Sequence, residues 1–290
     1  MKLKFNMFEK TRPKNWKDSY WNQINRNIGF ITFSEQESLR ISSIAIFGVG
    51  GLGGPLAIQL IRAGCENLTI CDNEKFQESN LNRQMCTRND IGKYKVDILE
   101  NYLEKINPDI NISKYYEISN HNISEILNNI KIAALTLDDP ICSILICREC
   151  AKRKIPIVES WGVPFLCAWW FTKESVDYET CYELKTKQMS IEQIEVSENI
   201  QLDVRNAILS KVFLFPGLEE ICDRESGAVE GMLSGNLPLR SFAPMIRMTA
   251  SYLAYEIIFS GILKIRKKTL APRVNGYDYI RMKKIEFSFI

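Results

Sequence analysis

Residues 43–53 read Ser-Ile-Ala-Ile-Phe-Gly-Val-Gly-Gly-Leu-Gly, and this stretch decides the fold. Its first five residues form a short apolar run, which is typical of a buried parallel strand. The glycines that follow, Gly48, Gly50, Gly51 and Gly53, allow a tight turn and let a phosphate approach the backbone amides. A helix predicted just after them would add the partial positive charge of its N-terminus. The stretch predicts a mononucleotide or dinucleotide site; the alternative is a turn whose glycines serve only packing.

Strands and helices alternate on the C-terminal side of this loop. Apolar runs that end in polar residues predict strands, and apolar residues at helical spacing predict helices. The predicted strands are residues 68–71, 132–137 and 155–158, and one more strand begins at residue 110. The predicted helices are residues 55–64, 95–106 and 141–153. This alternation predicts an α/β fold with a Rossmann-like, doubly wound, mainly parallel sheet.

The core comprises residues 41–175. The segments on either side of it have a different pattern. Residues 1–40 are predicted to form an N-terminal helical arm, because large apolar residues recur there at helical spacing, and Ser34 to Glu37 resembles a capping box. Residues 176–290 are predicted to be a C-terminal extension that is continuous with the core. The apolar positions of the arm are Trp16, Tyr20, Trp21, Ile24 and Ile28.

Within the C-terminal extension, residues 183–240 are polar and show poor periodicity, so they are predicted to be irregular. Residues 241–262 return to a helical pattern. Residues 277–289 alternate in the manner of antiparallel strands, with Lys283 and Lys284 as a polar interruption. Antiparallel strands and helices are therefore expected at the C-terminal end.

The composition is that of an ordinary globular protein. Of 290 residues, 46% are hydrophobic and 25% are charged, and the formal net charge of +2 gives no reason to expect nucleic acid or an anionic membrane as a partner. The nine cysteines are an odd number in a chain too long to need disulfides, which favours reduced thiols in the cytoplasm. Residues 1–6 lack the apolar run of a signal peptide, and no stretch is long enough to span a membrane.

A second motif indicates what kind of nucleotide chemistry the loop would serve. Residues 79–84 read Ser-Asn-Leu-Asn-Arg-Gln, Lys95 opens a predicted helix, and Asp138 ends a predicted strand. An enzyme that cleaves ATP between its α- and β-phosphates needs Arg and Lys donors such as Arg83 and Lys95. It also needs a carboxylate for Mg²⁺, and Asp138 stands where open α/β sheets place their ligands.

With these motifs the sequence resembles the ThiF/MoeB/HesA adenylyltransferases, a superfamily related to the ubiquitin-activating enzymes. The likeness is strongest over residues 44–162. It implies activation of a carboxylate, the C-terminus of a small protein or peptide, as an acyl-adenylate with release of pyrophosphate from ATP. It also implies the following roles: Asp72 on the ribose, Asn80, Arg83, Gln84 and Lys95 on the phosphates, and Asp138 on Mg²⁺.

The resemblance further implies a homodimer in which an arginine of the arm enters the partner's site, and Arg26 is the candidate. The chain departs from many relatives in its cysteines. Leu184 stands where the second cysteine of a zinc-binding pair would follow Cys181, and Cys147 and Cys150 lie in a predicted helix without a partner pair. Structural zinc is therefore not expected.

The acceptor of the activated carboxyl is left open by the sequence. Asn236 occupies the place where some relatives carry a cysteine that receives the carboxyl. Cys222, Cys181 and Cys167 are nearby, but a buried inert thiol is the favoured interpretation of each. Direct attack by an amine, a thiol or sulfide is the other possibility.

Each assigned side chain also has an ordinary structural interpretation. Arg83 could be a surface ion-pair residue, Lys95 a plain helix lysine, and Asp138 or Asp139 the N-cap of the next helix. The aromatic residues of segment 161–171 could line an acceptor pocket or fill the core; they are Trp161, Trp169, Trp170 and Phe171. Two rival functions follow from the same loop, an NAD- or FAD-dependent oxidoreductase and a catalytically silent scaffold subunit.

Overall fold

The computed structural model describes residues 11–290, so the expectations for residues 1–10, including the first part of the arm and the missing signal peptide, lie outside the described residues. The helices are α1 (Asp18–Ile24), α2 (Phe33–Arg40), α3 (Gly53–Arg62), α4 (Lys95–Ile106), α5 (Ile123–Ile126), α6 (Pro140–Arg153), α7 (Tyr178–Cys181), α8 (Ile191–Glu195), α9 (Glu198–Val212), α10 (Leu218–Cys222), α11 (Ala228–Leu233) and α12 (Ala243–Tyr255). The strands are β1 (Ser43–Phe47), β2 (Asn67–Cys71), β3 (Asn111–Tyr115), β4 (Ile132–Leu135), β5 (Ile157–Glu159), β6 (Phe165–Cys167), β7 (Trp169–Phe171), β8 (Arg273–Asp278) and β9 (Lys283–Ser288).

The main sheet has six strands in the order β3-β2-β1-β4-β5-β7. Its neighbours are parallel from β3 to β5, and β7 pairs antiparallel with β5. Phe47 pairs with Cys71 on one side and with Leu135 on the other, so β1, β2 and β4 end at one edge. From β1 the chain continues to β2 and β3 on one side and then crosses to β4 and β5 on the other side. At such a switch point a crevice opens at this edge, where sheets of this kind bind ligands. The predicted Rossmann-like fold is confirmed.

Both faces of the sheet are covered, which explains why β1 reads as a continuous apolar run. Ile44 and Ile46 point into a core beneath α3 and α4. Ala45 and Phe47 point into the opposite core, which is built largely from α6 and the C-terminal extension. Alternate residues of a strand face opposite sides, so burial on both sides leaves no polar position in the run.

The arm packs onto the end of α3. Its buried residues, Trp16, Tyr20, Trp21 and Ile24, form a cluster of their own. The Tyr20 hydroxyl donates to the Gly64 carbonyl at 2.9 Å and ties the arm to the loop after α3. Over the residues that the structure describes, the arm therefore packs through its own apolar cluster and is tied to the loop after α3.

The capping box of α2 lies two residues before its predicted place at Ser34. The Thr32 hydroxyl accepts from the Glu35 amide at 3.2 Å, and the Glu35 carboxylate accepts from the Thr32 amide at 2.7 Å. A threonine satisfies the N-cap as well as a serine does, so the helix begins where its first amides find that reciprocal pair.

The C-terminal extension is more regular than its sequence predicts. The prediction of irregular structure for residues 183–240 is wrong, because this stretch contains α8, α9, α10 and α11. Helix α9 buries only Val204, Leu209 and Lys211, so it has too narrow an apolar stripe to show clear periodicity.

The last strands also differ from the expectation. Lys283 and Lys284 do not interrupt a strand but begin β9, with their side chains exposed. Strand β9 pairs antiparallel with β8, and β8 pairs with β6 in a three-stranded sheet. Helix α12 follows the predicted helix and continues into a π-helical segment, Glu256–Ile262.

Candidate functional site

The glycine loop between β1 and α3 is too tight for side chains at two of its positions. Gly48 has a φ of +86°, and its amide donates to the Cys71 carbonyl at 2.8 Å. A Cβ on Gly53 would lie 1.9 Å from the Gly48 carbonyl oxygen, which no structure allows. The Thr136 hydroxyl donates to that same oxygen at 2.6 Å and fixes the loop to the end of β4. The loop therefore brings the partly exposed backbone of residues 50–52 to the N-terminus of α3, a geometry suited to a phosphate.

The polar side chains of the second motif converge on this loop. A Cβ on Gly50 would lie 3.4 Å from the Gln84 Nε2 and 3.8 Å from the Lys95 Nζ. A Cβ on Gly51 would lie 3.7 Å from the Arg83 Nε. Three side chains from two segments beyond β2, the second motif and the start of α4, thus lie beside the glycine loop. They provide the guanidinium, ammonium and amide donors that a polyphosphate requires.

Lys95 is held in place before any ligand arrives. It is 3% exposed, although it is the first residue of α4, and its ammonium pairs with Glu74. Its amide donates to the Glu74 carbonyl at 3.0 Å, which fixes its backbone as well. Lys95 thus has a buried ammonium beside the glycine loop and a backbone amide fixed by Glu74. These features do not fit the interpretation of Lys95 as a plain helix lysine.

Asp72 stands at the end of β2 and is oriented by two amides. Its Oδ2 accepts from the Val49 amide at 2.8 Å, and its Oδ1 accepts from the Glu74 amide at 2.9 Å. Burial raises the pKa of this carboxyl, and the nearby Lys95 opposes that rise. The carboxylate therefore connects the glycine loop to the segment that carries Glu74, at the position expected for a ribose contact.

Asp138 and Asp139 have separate roles. The Asp139 Oδ1 accepts from the Ile141 and Cys142 amides at 2.8 and 3.0 Å, so Asp139 is the N-cap of α6. Asp138 is exposed, yet the protein around it limits its hydration, and this desolvation is the main cause of its raised pKa. The carboxylate of Glu74 adds to that rise. Asp138, just beyond β4, therefore does not serve as the helix cap, and its carboxylate is available to a ligand.

The electrostatics of Asp138 place it with the other site residues. Besides Glu74, the Asp72 carboxylate raises its pKa, while Arg83 and Lys95 lower it. A divalent cation would relieve this crowding of carboxylates. The described residues contain no group of three or more metal-ligating side chains, and Mg²⁺ characteristically uses one or two carboxylates with phosphate and water oxygens for the rest. Asp138 therefore fits a Mg²⁺ that arrives with a nucleotide.

The remaining motif residues shape the site without all facing the loop. Asn80 is buried, and its Oδ1 accepts from the Gln77 amide at 3.0 Å, which stabilises the turn that carries the motif. Arg83 Nη1 donates to the Ser79 carbonyl at 3.0 Å and to the Asn82 Oδ1 at 2.9 Å. Arg83 forms no ion pair with a carboxylate among residues 11–290, so the surface ion-pair interpretation does not describe it.

Arg26 follows α1 and is exposed, with its backbone in the loop that leads towards α2. The glycine loop of the same chain lies beyond α2 and β1, and the contacts of that loop are with Arg83, Gln84 and Lys95 instead. Its assignment to a partner's site stays a prediction.

The aromatic residues past β5 fill the core. Trp169 and Trp170 lie in β7, an antiparallel strand that the sequence did not predict, and both are 0% exposed. Trp161 is partly buried and packs edge-on against Trp169, with ring centroids 5.1 Å apart. Core packing is therefore the correct interpretation for Trp169 and Trp170.

The sequence did not point to two residues, one buried acid in the aromatic core and one side chain beside the loop. Glu159 ends β5 fully inside this aromatic cluster, where it accepts from the Trp169 Nε1 at 2.9 Å and from the Tyr182 hydroxyl. Ile246 of α12 lies against the loop, because a Cβ on Gly51 would approach its Cγ2 at 3.3 Å. The available signal for Glu159 was its position as an acidic residue at the end of an apolar strand. The helical periodicity of α12 predicts that Ile246 is on a helix but not that it lies beside the glycine loop.

The candidate acceptor thiols differ in burial. Cys167 and Cys181 are 0% exposed, and burial raises the pKa of both thiols far above the ordinary range. Cys222 is partly buried, and burial also raises its pKa. A thiol with a raised pKa is a poor nucleophile, so these environments are those of structural cysteines. No helix within residues 11–290 has the length and apolar character needed to cross a membrane.

A protein-family model described as the ThiF family matches residues 23–289. Among curated proteins, the chain is 30% identical over 136 residues to an adenylyltransferase and sulfurtransferase UBA4 of Meyerozyma guilliermondii, which covers 46% of this chain and 32% of the relative. It is 34% identical over 126 residues to a ubiquitin-like modifier-activating enzyme 5 of Aedes aegypti, which covers 43% of this chain and 32% of the relative. The match thus spans about a third of the length of these relatives.

Solved structures show the same fold. A crystal structure of PaaA is similar with a TM-score of 0.66 and 19% identity, covering 96% of this chain and 86% of that one. A crystal structure of E. coli MccB with ATP is similar with a TM-score of 0.59 and 20% identity, covering 88% of this chain and 66% of that one. At these identities the likeness establishes the architecture, a mostly parallel sheet with helices on both faces.

Proposed function

The chain belongs to the ThiF family, and we propose that it is an ATP-dependent adenylyltransferase that activates a carboxylate as an acyl-adenylate and releases pyrophosphate. One observation carries the proposal. Arg83 and Gln84 of the second motif and Lys95 of α4 meet above the glycine loop, within 3.4 to 3.8 Å of where Cβ atoms on Gly50 and Gly51 would lie. A hydride-transfer enzyme has no use for this cationic set, whereas a triphosphate does.

The substrate class is proposed from the relatives. One matched relative is named as an adenylyltransferase and another as activating a ubiquitin-like modifier. Structures of the similar fold are described with ATP and with N-formylated MccA. We therefore propose that the activated carboxylate is the C-terminus of a small protein or peptide.

The chain's own residues account for the chemistry by positioning and charge. A carboxylate is already ionised at neutral pH, so its attack on the α-phosphate needs no general base. Arg83 and Lys95 would stabilise the negative charge that develops as pyrophosphate leaves. Asp72 would orient the ribose. Mg²⁺ held by Asp138 would supply further charge neutralisation on the phosphates.

Two further proposals concern the assembly and the location of the protein. We propose a homodimer in which Arg26 of one subunit completes the site of the other. Arg26 is exposed and is not among the residues that approach the glycine loop of its own chain. We propose a cytoplasmic location, since all nine cysteines are free thiols, as expected where disulfides are not maintained.

Exchange of radiolabelled pyrophosphate into ATP tests the function, with small proteins and peptides encoded beside this gene as carboxylate substrates. Asp138→Ala is expected to abolish exchange and to leave the unfolding transition unchanged, because Asp138 supports no cap. Asp139→Ala is the matched control: it removes the cap of α6 but should retain exchange. Undiminished exchange in Asp138→Ala would contradict the assigned role.

The same preparation separates the rival functions. A bound NAD or FAD without exchange against any substrate would support an oxidoreductase. Failure to bind any nucleotide in a calorimetric titration would support a scaffold subunit. ATP binding with exchange that depends on the added carboxylate would exclude both.

A further inference from the structure

The side chain of Asn82 connects the second motif to the segment that leads into α12. Its Oδ1 accepts from the Arg83 Nη1 at 2.9 Å, and its Nδ2 donates to the Ser241 carbonyl at 3.0 Å. One amide thus joins the guanidinium beside the glycine loop to a backbone carbonyl that lies 159 residues further along the chain. Both ends of this amide are in use, although Asn82 is exposed.

These two hydrogen bonds fix the orientation of the Asn82 amide. Turning the amide over would put a donor against the Arg83 guanidinium and an acceptor against the Ser241 carbonyl. Ser241 lies just before α12, and that helix is firmly packed, because its Ile246 is 4% exposed and a Cβ on Gly162 would lie 2.5 Å from the Ile246 Cδ1. The amide therefore takes its orientation from a packed element and transmits it to Arg83.

Arg83 is anchored through one nitrogen of its guanidinium. Both of its hydrogen bonds, to the Ser79 carbonyl at 3.0 Å and to the Asn82 Oδ1, use Nη1. Its Nε lies 3.7 Å from where a Cβ on Gly51 would be, and within residues 11–290 neither Nε nor Nη2 has a hydrogen-bond partner. The edge formed by Nε and Nη2 is therefore free beside the loop, and such an edge can bind two phosphate oxygens in parallel.

The second anchor matters because a long arginine side chain samples many rotamers, and ordering it when a ligand binds costs free energy. Nη1 has two N–H groups, so the Ser79 carbonyl and the Asn82 Oδ1 together fix the plane of the guanidinium. With the Ser79 carbonyl alone, the group could turn about a single hydrogen bond. Donors that are oriented in advance avoid this cost.

We propose that Asn82 is a positioning residue, which holds the Arg83 guanidinium in the orientation that binds phosphate oxygens of the nucleotide. Asn82 acts through Arg83 and not by touching the nucleotide. The proposal rests on the proposed function, in which Arg83 neutralises charge on the triphosphate. It makes the start of α12 a part of the phosphate site, because the Ser241 carbonyl orients the amide that orients the guanidinium.

Calorimetric titration of the full chain with ATP, tripolyphosphate and adenosine tests this role. Asn82→Ala should raise the Kd of ATP and of tripolyphosphate about fivefold, as expected when one hydrogen bond no longer orders a charged donor. The Kd of adenosine should not change, because adenosine carries no phosphate. Asn101→Ala is the matched control and should change none of the three, since Asn101 is an exposed asparagine whose Nδ2 donates to the Asp97 carbonyl within α4 at 2.8 Å.

A double-mutant cycle shows whether Asn82 acts through Arg83. Arg83→Ala should raise the Kd of both phosphate ligands, and Asn82→Ala should add nothing further in that background. Asn82→Asp should raise the Kd of ATP more than Asn82→Ala does. The new carboxylate would neutralise the guanidinium and would face the Ser241 carbonyl, which is also an acceptor.

Three results would overturn the role of Asn82: unchanged Kd values for both phosphate ligands in Asn82→Ala, an equal rise in the Kd of adenosine, or the same factor with and without Arg83. The last two are what a merely structural asparagine would give. Wild type that binds tripolyphosphate but not ATP would refute the proposed function, and the cycle with tripolyphosphate would still decide the role of Asn82. Binding of neither would overturn both.

Discussion

Replacing Glu159 by glutamine is expected to remove a pH-dependent loss of stability from this protein. The carboxyl of Glu159 is 5% exposed and lies among aromatic rings, where Trp169 and Tyr182 donate to it. No cation forms an ion pair with it in the described part of the chain. Its ionised form is therefore stabilised by hydrogen bonds alone.

The magnitude follows from its pKa. Burial raises the pKa of Glu159 from 4.5 to about 7, although hydrogen bonds from Tyr182, Trp169 and Trp161 oppose the rise. The folded state thus holds its proton more tightly than the unfolded state. The resulting stability is complete below about pH 4.5 and is lost as the pH rises through about 7. At 1.36 kcal/mol per pH unit, the loss approaches about 3 kcal/mol, of which about 2 to 3 kcal/mol falls between pH 5 and pH 8.

Neighbouring groups do not obscure this interval. Burial raises the pKa of Tyr178, Tyr182 and Cys147 well above their ordinary values, so none of them titrates between pH 5 and pH 8. Glutamine keeps a carbonyl acceptor for the two donors but adds N–H groups that lack acceptors, which costs stability equally at every pH. The test is therefore the change of stability with pH and not its absolute value.

The assay is urea unfolding followed by tryptophan fluorescence at pH 5 and pH 8. Relative to wild type, Glu159→Gln should lose about 2 to 3 kcal/mol less between the two pH values. The exposed Glu219→Gln serves as the control and should behave as wild type. If wild type and Glu159→Gln change in parallel to within about 0.5 kcal/mol, the carboxyl does not titrate as the burial argument requires.

Three further substitutions test the site's construction. Gly53→Ala should abolish measurable ATP binding in a calorimetric titration, because its Cβ would lie 1.9 Å from the Gly48 carbonyl oxygen; binding at wild-type affinity would show that the loop is not so constrained. Thr136→Val removes the hydroxyl that donates to that oxygen and should cost about 1–3 kcal/mol of unfolding free energy, while Thr136→Ser should restore most of it. Asp139→Ala should cost about 1 kcal/mol through loss of the α6 cap, and Asp139→Asn should cost far less in the same urea titration.

Hydrophobic periodicity and glycine spacing predicted the elements whose formation depends mainly on nearby residues. The strand, glycine loop and helix of residues 43–53 are recognisable because both faces of β1 are buried and because the tight turn admits only glycine where a Cβ would collide. Residues 95–106 form α4 with the predicted bounds, since the segment is amphipathic and ends before Pro108. The sequence groups Arg83, Lys95 and Asp138 for a related reason, because strand ends and helix starts meet at one edge of a parallel sheet; their shared role stays a prediction.

The features that were missed depend on tertiary contacts. Strand β7 consists of three aromatic residues whose pairing with β5 cannot be read from so short a run. Helix α9 has a narrow apolar stripe because only part of one face touches the core, so its sequence looks irregular. The buried Gln84 Oε1 accepts no hydrogen bond in the described part of the chain. A missing tertiary contact of this kind leaves no pattern in the sequence.

The pairing of Lys95 with Glu74 bears on which anions the site would accept. Glu74 is 65% exposed in its side chain and so can move away, yet while it remains it neutralises the buried ammonium. A single phosphate ion gains little by displacing it, because one attraction is exchanged for another. A triphosphate that reaches Arg83, Gln84 and the loop amides together gains several contacts for that one exchange. We therefore expect Glu74 to compete with anions for Lys95 and so to favour polyphosphates over inorganic phosphate.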